Sequence, residues 1–430
     1  MKPKKRIIIL TFLFLNLLVT NQPELFAVPP TLEQANKLFQ AGKFAEAEKL
    51  YLEAIREDPQ NFRCLVHLGR IALLSNRLDE AEKWLTQATR VKPEESIPKA
   101  LLAEIYYRRD DFLQAAQFFR AVGRESMAQK LESFKGLIPY RMKTDKPDVT
   151  RLKFVMTDPL PIIEVQVNRN QVVNFFLDTG AAEVVIDSEL AKELGVPIFE
   201  TEMGVFAGGQ QANYAHGRMD SLKLGDFEIE NIPVHIMDVR RFSAPIFKGK
   251  RVDGIIGTVF LYHFIVTIDY PGGELLVQKK TKENLQKLEK QIWQERPIVV
   301  PFWLAFDHYI LAWGRVNQSP ERLFLVDTGL AGGGFTCPES TLKEAQIKLM
   351  EDKATEGLGG GGKIKVIPFI VEELSLGEAK EKNVVGLFTG TFPLEKAFGF
   401  RIGGLISHGF FKPYALTFDF DKMRLLLKKK

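Results

Sequence analysis

Apolar positions along this 430-residue chain change their period once the first third is passed. Between residue 31 and about residue 125 they recur at helical spacing inside a longer repeat of 34 residues. Ala47, Ala81 and Ala115 are 34 apart, as are Phe44, Leu78 and Phe112, and Leu50, Trp84 and Phe118. Pro59 and Pro93 close the first two units at the same interval. Large residues at fixed offsets around a small one predict helix pairs, with the alanines where helices approach closely. Each pair buries its apolar face only by stacking on the next, and three units are about the minimum for stability. A capping helix is predicted over residues 131–137. Residues 139–150 then lose periodicity and carry two prolines, which reads as a linker. Beyond it the period falls to two. Segments 152–156, 162–167 and 172–177 are short and β-rich, and 298–304, 309–316 and 322–326 repeat them.

The two β-rich sets end alike. One runs Phe175-Phe176-Leu177 into Asp178-Thr179-Gly180, the other Phe324-Leu325-Val326 into Asp327-Thr328-Gly329. The segment around Gly254-Ile255-Ile256-Gly257 follows the first aspartate, and Gly404-Leu405-Ile406-Ser407 follows the second. Gly254 lies 76 residues past Asp178, and Gly404 lies 77 past Asp327. Asp269 and Asp419, at the ends of later strand-like runs, lie 91 and 92 residues past the same aspartates. Asp187 is placed to cap a helix over 188–194, with Gly195 as its stop. Thr336 is placed to cap a helix opened by Pro338-Glu339. Both predicted caps stand nine residues past their aspartate. Residues 151–285 and 286–430 therefore read as two copies of one unit.

The paired Asp-Thr-Gly runs and their downstream partners resemble the bilobed aspartic peptidases of the pepsin and retropepsin type. The 34-residue period at 31–135 resembles tetratricopeptide repeats. The expected fold is multidomain α + β: an α-helical repeat solenoid, a linker at 136–150, and an all-β bilobed acid-protease barrel. The resemblance implies an endopeptidase in which Asp178 and Asp327 face each other and activate a water. It implies that Thr179 and Thr328 lock the two loops through the opposite backbone, and that Gly180 and Gly329 allow the tight turn. It also makes the glycine-rich stretches hairpin flaps over a substrate cleft, with Gly208 and Gly209 in one and Gly359 and Gly360 in the other. Tyr214 is the nearest candidate for a flap tyrosine.

Three positions depart from the family pattern: Ala181, Leu330 with the following Gly332-Gly333-Gly334, and Ser407 in place of a second threading glycine. They motivate an alternative, a non-catalytic peptide-binding scaffold on a degenerate protease fold. A third reading makes the repeats the functional part and the protease-like region a dimerisation module. The repeats themselves read either as a peptide-binding surface for a protein partner or as a spacer.

Charge and composition narrow the rest. Lys2, Lys4, Lys5 and Arg6 precede an apolar run from 7 to 19, which makes residues 1–27 a candidate secretory signal. Export to a periplasm or medium is the expectation, and an uncleaved membrane anchor the alternative. Residues 1–27 hold four basic residues and one acid, so the +4 of the whole chain falls to about +1 without them. A near-neutral body gives no electrostatic footprint for nucleic acid. Cys64 and Cys337 fall in different predicted domains, so no disulfide is expected. A helix start beside Cys337 would lower its thiol, while the structural reading is an inert buried side chain. His216, His263, His308 and His408 lack metal-ligand spacing, so neither metal nor other cofactor is expected. The glycine-rich stretches lack the Lys-Ser or Lys-Thr of a phosphate loop.

Overall fold

The computed structural model describes residues 30–430 apart from 144, 169, 170, 391 and 393. The candidate export signal at 1–27 lies outside the described residues. Seven helices open the described chain: α1 (Pro30–Gln40), α2 (Phe44–Glu57), α3 (Phe62–Leu74), α4 (Leu78–Val91), α5 (Ser96–Arg108), α6 (Phe112–Ala121) and α7 (Glu125–Glu132). Phe44, Leu78 and Phe112 each begin the second helix of a pair, and Ala47, Ala81 and Ala115 are fully buried. The turn inside each pair needs one residue at positive φ. Gly42, Asn76 and Asp110 supply it at φ 79, 57 and 60°, again 34 apart, and these residue types tolerate the left-handed region. Asn61 and Asp111 cap α3 and α6 by accepting from Cys64 N and Gln114 N. The closing helix is α7, earlier than the 131–137 expected, because Glu125 to Glu132 already carries its buried face of Met127, Ala128 and Leu131.

The β region is two closed six-stranded barrels with one strand order. In the first, Ile162–Val167 pairs with Gln211–Leu224, then Phe227–Met237, Val184–Asp187, Gly254–Ile256 and Gln171–Leu177, which returns to the start. In the second, Tyr309–Val316 pairs with Gly362–Leu376, then Ala379–Phe388, Phe335–Thr336, Ile402–Ile406 and Arg322–Val326. Closure removes sheet edges, and each barrel interior is filled by the inward half of alternating strands.

A six-stranded antiparallel sheet joins the lobes, in the order Val149–Lys153, Glu274–Lys279, Phe264–Asp269, Tyr414–Asp419, Arg424–Lys429, Ile298–Ala305. At its centre Thr267 lies opposite Thr417, and their hydroxyls meet at 2.7 Å. That pair marks the pseudo-two-fold axis. Helix Lys282–Glu295, capped by Thr281, crosses from lobe to lobe and packs Leu288 on Ile265 and Leu426. The described segments on either side of residue 144 are built into the lobe rather than free of it. Arg141–Met142 pairs with Glu230 and Ile229, and Val149 begins the interlobe sheet.

The repeats are not set apart from the barrels. Phe39 and Phe44 pack edge-on against Phe400, and Phe44 also against Trp303. Arg70 donates to Phe398 O at 2.9 Å, Arg108 to Leu304 O at 2.9 Å, and Arg401 N to Gln40 O at 2.8 Å. Asn76 reaches Tyr262 Oη at 3.1 Å on the first lobe. Helix α3 is buried nearly all round, which is the mark of a helix sandwiched between layers. The first helix of each pair therefore faces the barrels.

Candidate active site

Each Asp-Thr-Gly loop leaves a strand that is locked from behind. Gln171–Leu177 runs parallel to Gly254–Ile256, and Asp178 N donates to Ile256 O at 3.1 Å. The second lobe repeats this, with Asp327 N on Ile406 O at 3.0 Å. The loops then meet across the pseudo-axis. Thr179 N donates to Thr328 Oγ1 at 3.1 Å, and Thr328 N to Thr179 Oγ1 at 3.0 Å. The two hydroxyls donate onward to Val326 O at 3.0 Å and Leu177 O at 3.2 Å. Every one of these groups is buried, so each loop's backbone is satisfied by the other lobe.

Asp178 and Asp327 are 0% and 2% exposed. Gly180 N donates to Asp178 Oδ1 at 2.8 Å, and Gly329 N to Asp327 Oδ1 at 2.7 Å. The glycines are required by closeness. A Cβ on Gly180 would fall 2.4 Å from Asp327 Oδ2, and one on Gly329 would fall 2.2 Å from Asp178 Cγ. Each carboxylate thus sits against the other loop's glycine, and the two acids face one another. Burial, then the negative charge of Asp327, pushes Asp178 well above the usual carboxylate range. Such a pair holds one proton between two acids, and its titration belongs to the pair.

The lobes differ just past the dyad. Val185, seven residues after Asp178, lies opposite Ile255, whereas Thr336, nine after Asp327, lies opposite the equivalent Leu405. The second loop is two residues longer, through Gly332-Gly333-Gly334. This corrects the cap assigned to Thr336. Thr336 ends a short strand, the helix is Glu339–Glu344, and Pro338 takes the cap position without a side-chain bond. In the first lobe Asp187 does cap Ser188–Leu194, accepting from Glu189 N at 2.9 Å, and Gly195 closes it in the left-handed region.

The longer loop also explains Ser407. A Cβ at Gly257 would fall 2.2 Å from Glu183 O, so that lobe admits only glycine there. In the second lobe the glycine run lies against the 407–409 turn, with Ser407 N on Gly334 O at 2.9 Å and Gly409 N on Gly333 O at 3.1 Å. A Cβ on Gly334 would fall 2.8 Å from Phe410 N, so this backbone contact needs the glycine. The space gained holds the Ser407 hydroxyl, which accepts from Leu330 N at 3.1 Å.

Each lobe carries a long hairpin. Ile198–Val205 pairs with Gln211–Leu224, and Thr355–Gly359 with Gly362–Leu376. Gly208 and Gly209 form the first tip at φ 72 and 75°; Gly359 pairs with Gly362, and Gly360 is in the second turn. The tips touch. A Cβ on Gly208 would meet Ile364 at 2.7 Å, and one on Gly361 would meet Gln210 at 2.4 Å. Phe206, Leu358 and Tyr214 join the apolar cluster that holds Ala181 and Ala331 beside the dyad. Tyr214 is 3% exposed and donates its hydroxyl to Glu202 at 2.7 Å.

Both cysteines are buried and unbridged. Burial pushes the Cys64 thiol up to about 11 and Cys337 further still, although Cys337 immediately precedes the Pro338 cap of Glu339–Glu344. Among the described residues no cluster of three His, Cys, Asp or Glu side chains could hold a metal ion. His263 bonds Asp110 and the Val259 carbonyl, and His408 reaches Asp158 at 3.2 Å. Sequence reasoning passed over Glu183 and Glu202. The signal at Glu183 was one acid in an otherwise apolar run from Gly180 to Ile186, which demands a buried partner.

Residues 163–260 match the family model described as aspartyl protease, and residues 38–105 match that of the tetratricopeptide repeat. No curated protein matches the chain. The aspartyl-protease match lies within the first lobe, and the second barrel has the same strand order. The chain thus joins a tetratricopeptide-repeat region to an aspartyl-protease-like domain.

Proposed function

We propose that this protein is an exported aspartic endopeptidase that hydrolyses peptide bonds by a water activated between Asp178 and Asp327. The observation that carries this reading is the mutual fit of the two loops: each glycine admits the opposite carboxylate, and each threonine holds the opposite backbone. With one proton on the pair, the ionised carboxylate takes a proton from water as it attacks the peptide carbonyl. The protonated acid gives its proton to the carbonyl oxygen. The tetrahedral species then collapses. The acid that took water's proton gives it to the leaving nitrogen, and the carbon–nitrogen bond breaks. The other carboxylate takes a hydroxyl proton as the carbonyl re-forms, restoring one proton on the pair. The hairpins hold an extended peptide over the dyad and exclude water. The substrate is a peptide or protein, and neither metal nor other cofactor takes part.

The non-catalytic alternative rests on Leu330 and Ser407. It is weakened because Ser407 bonds the Leu330 amide and leaves the two loops equivalently locked at the aspartates. The test is incubation of purified protein with a mixed peptide library, with and without the aspartic-peptidase inhibitor pepstatin. Pepstatin-sensitive cleavage supports the proposal; a library bound but left intact supports the scaffold. Export is tested by mass spectrometry of the mature chain, expected to begin near Val28. An intact Met1 on the soluble cytoplasmic protein contradicts it.

A further inference from the structure

One buried and one half-buried acid of the first lobe are held by the repeat domain. Glu183 is 1% exposed and five residues past Asp178, in the loop whose Ala181 and Ala182 carbonyls accept from Thr258 N and Val259 N at 2.9 and 2.8 Å. Its carboxylate takes the Tyr107 hydroxyl from the last turn of α5 and the Lys130 ammonium of α7 at 2.6 Å. His235 Nε2 stands 3.5 Å away on the barrel side. Lys130 is 0% exposed. A buried ion pair is a weak source of stability compared with apolar packing, so its value here lies in fixing one placement. By strand register the second-lobe counterpart of Glu183 is Gly334, which has no side chain, so among the described residues the first catalytic loop alone carries this hold. Glu202, in the rising strand of the first hairpin, is the second acid. It accepts the Ser126 hydroxyl of α7 and the Tyr214 hydroxyl, with Arg124 at 3.7 Å and His216 at 3.5 Å. Arg218, farther along the same hairpin, donates to Ser133 O just past α7.

We propose that the repeat domain is a working part of the peptidase unit. Tyr107 and Lys130 position the Asp178 loop through Glu183, and Ser126 sets the first hairpin over the dyad through Glu202. These are positioning residues: none touches the dyad. The kinetic half of the proposal rests on the peptidase reading. The structural half does not.

The experiment uses the full chain carrying Tyr107→Phe or Ser126→Ala, since Lys130→Met strands a buried charge and risks the fold. Hydrogen exchange is followed at residues 178–187, 198–216 and 327–336. Tyr107→Phe is expected to raise exchange about tenfold at 178–187 alone, the loss of one hydrogen bond to a charged group. Ser126→Ala should do so at 198–216 alone, with Ser126→Thr restoring protection. In peptide cleavage, Tyr107→Phe should lower kcat with KM held, and Ser126→Ala should raise KM with kcat held. Exchange that is unchanged, or that rises equally in the second-lobe loop, overturns the proposal. So does a cleavage profile identical to wild type. If wild type cleaves nothing yet exchange responds as stated, the peptidase reading fails and the hold of the repeats on the loop and hairpin stands.

Discussion

At the scale of single residues, the site depends on groups that have no alternative partner. Thr328→Val keeps shape but leaves Thr179 N–H and Leu177 C=O unpaired in a dry interface. Each unsatisfied group costs about 1–3 kcal/mol, so a chemical melt should show a drop of that order per group, with reduced cleavage. Asp178→Asn should behave oppositely in stability. Burial and the Asp327 charge raise the folded Asp178 pKa, so the neutral acid is the form the fold prefers. That preference is fully met below the unfolded value of about 3.9 and is lost as pH rises through the raised folded value. Wild type should therefore lose stability relative to Asp178→Asn as pH climbs from about 4 toward neutrality. Melts in a pH series check this; parallel curves would show that Asp178 is not strained by its charge.

At the scale of elements, what was local was legible, and what was long-range was legible only where the family resemblance supplied it, as for the cross-lobe bonds of Thr179 and Thr328. The helix pairs were readable because Ala47, Ala81 and Ala115 must be small wherever helices touch. The Asp187 cap was readable because cap and helix adjoin. Thr336 misled because two extra glycines lengthened its loop, a change that spacing alone hides until strand register fixes it. The hold of Lys130 on Glu183 spans 53 residues and needed the docked repeats to become visible. Helix α3 carries a test of the packing inside the repeats. His67 stacks on Tyr51 at 4.8 Å and meets Phe39 edge-on at 4.7 Å. Burial, then Arg70 and Arg63, depresses it to about 3. A depressed histidine contributes stability that is complete above its unfolded value of about 6.5 and fades as pH falls toward the folded value. Wild type should thus weaken relative to His67→Gln in circular-dichroism melts between pH 7 and 4. A gap that does not change with pH would place His67 in a solvated setting.

At the scale of the molecule, two copies of one barrel each supply half of a site, and a third body braces them. Residues 151–285 alone should be inactive as a monomer, because Asp178 would lack its partner acid and Thr179 its cross-lobe bonds. Activity from a monomer proven by sedimentation would refute the bilobed mechanism. Removing the repeats should expose Phe400, Trp303 and Phe398 and cause association, read by light scattering. The central claim, that two aspartates act as one unit, is tested most directly by peptide cleavage with Asp178→Asn, Asp327→Asn and the double variant beside wild type. Positioned acid–base groups supply on the order of 10²–10⁴ in rate, and groups acting as a unit do not multiply. The account predicts comparable, near-complete loss in both single variants and little further loss in the double. Near-normal cleavage by Asp327→Asn alongside an inactive Asp178→Asn would contradict it.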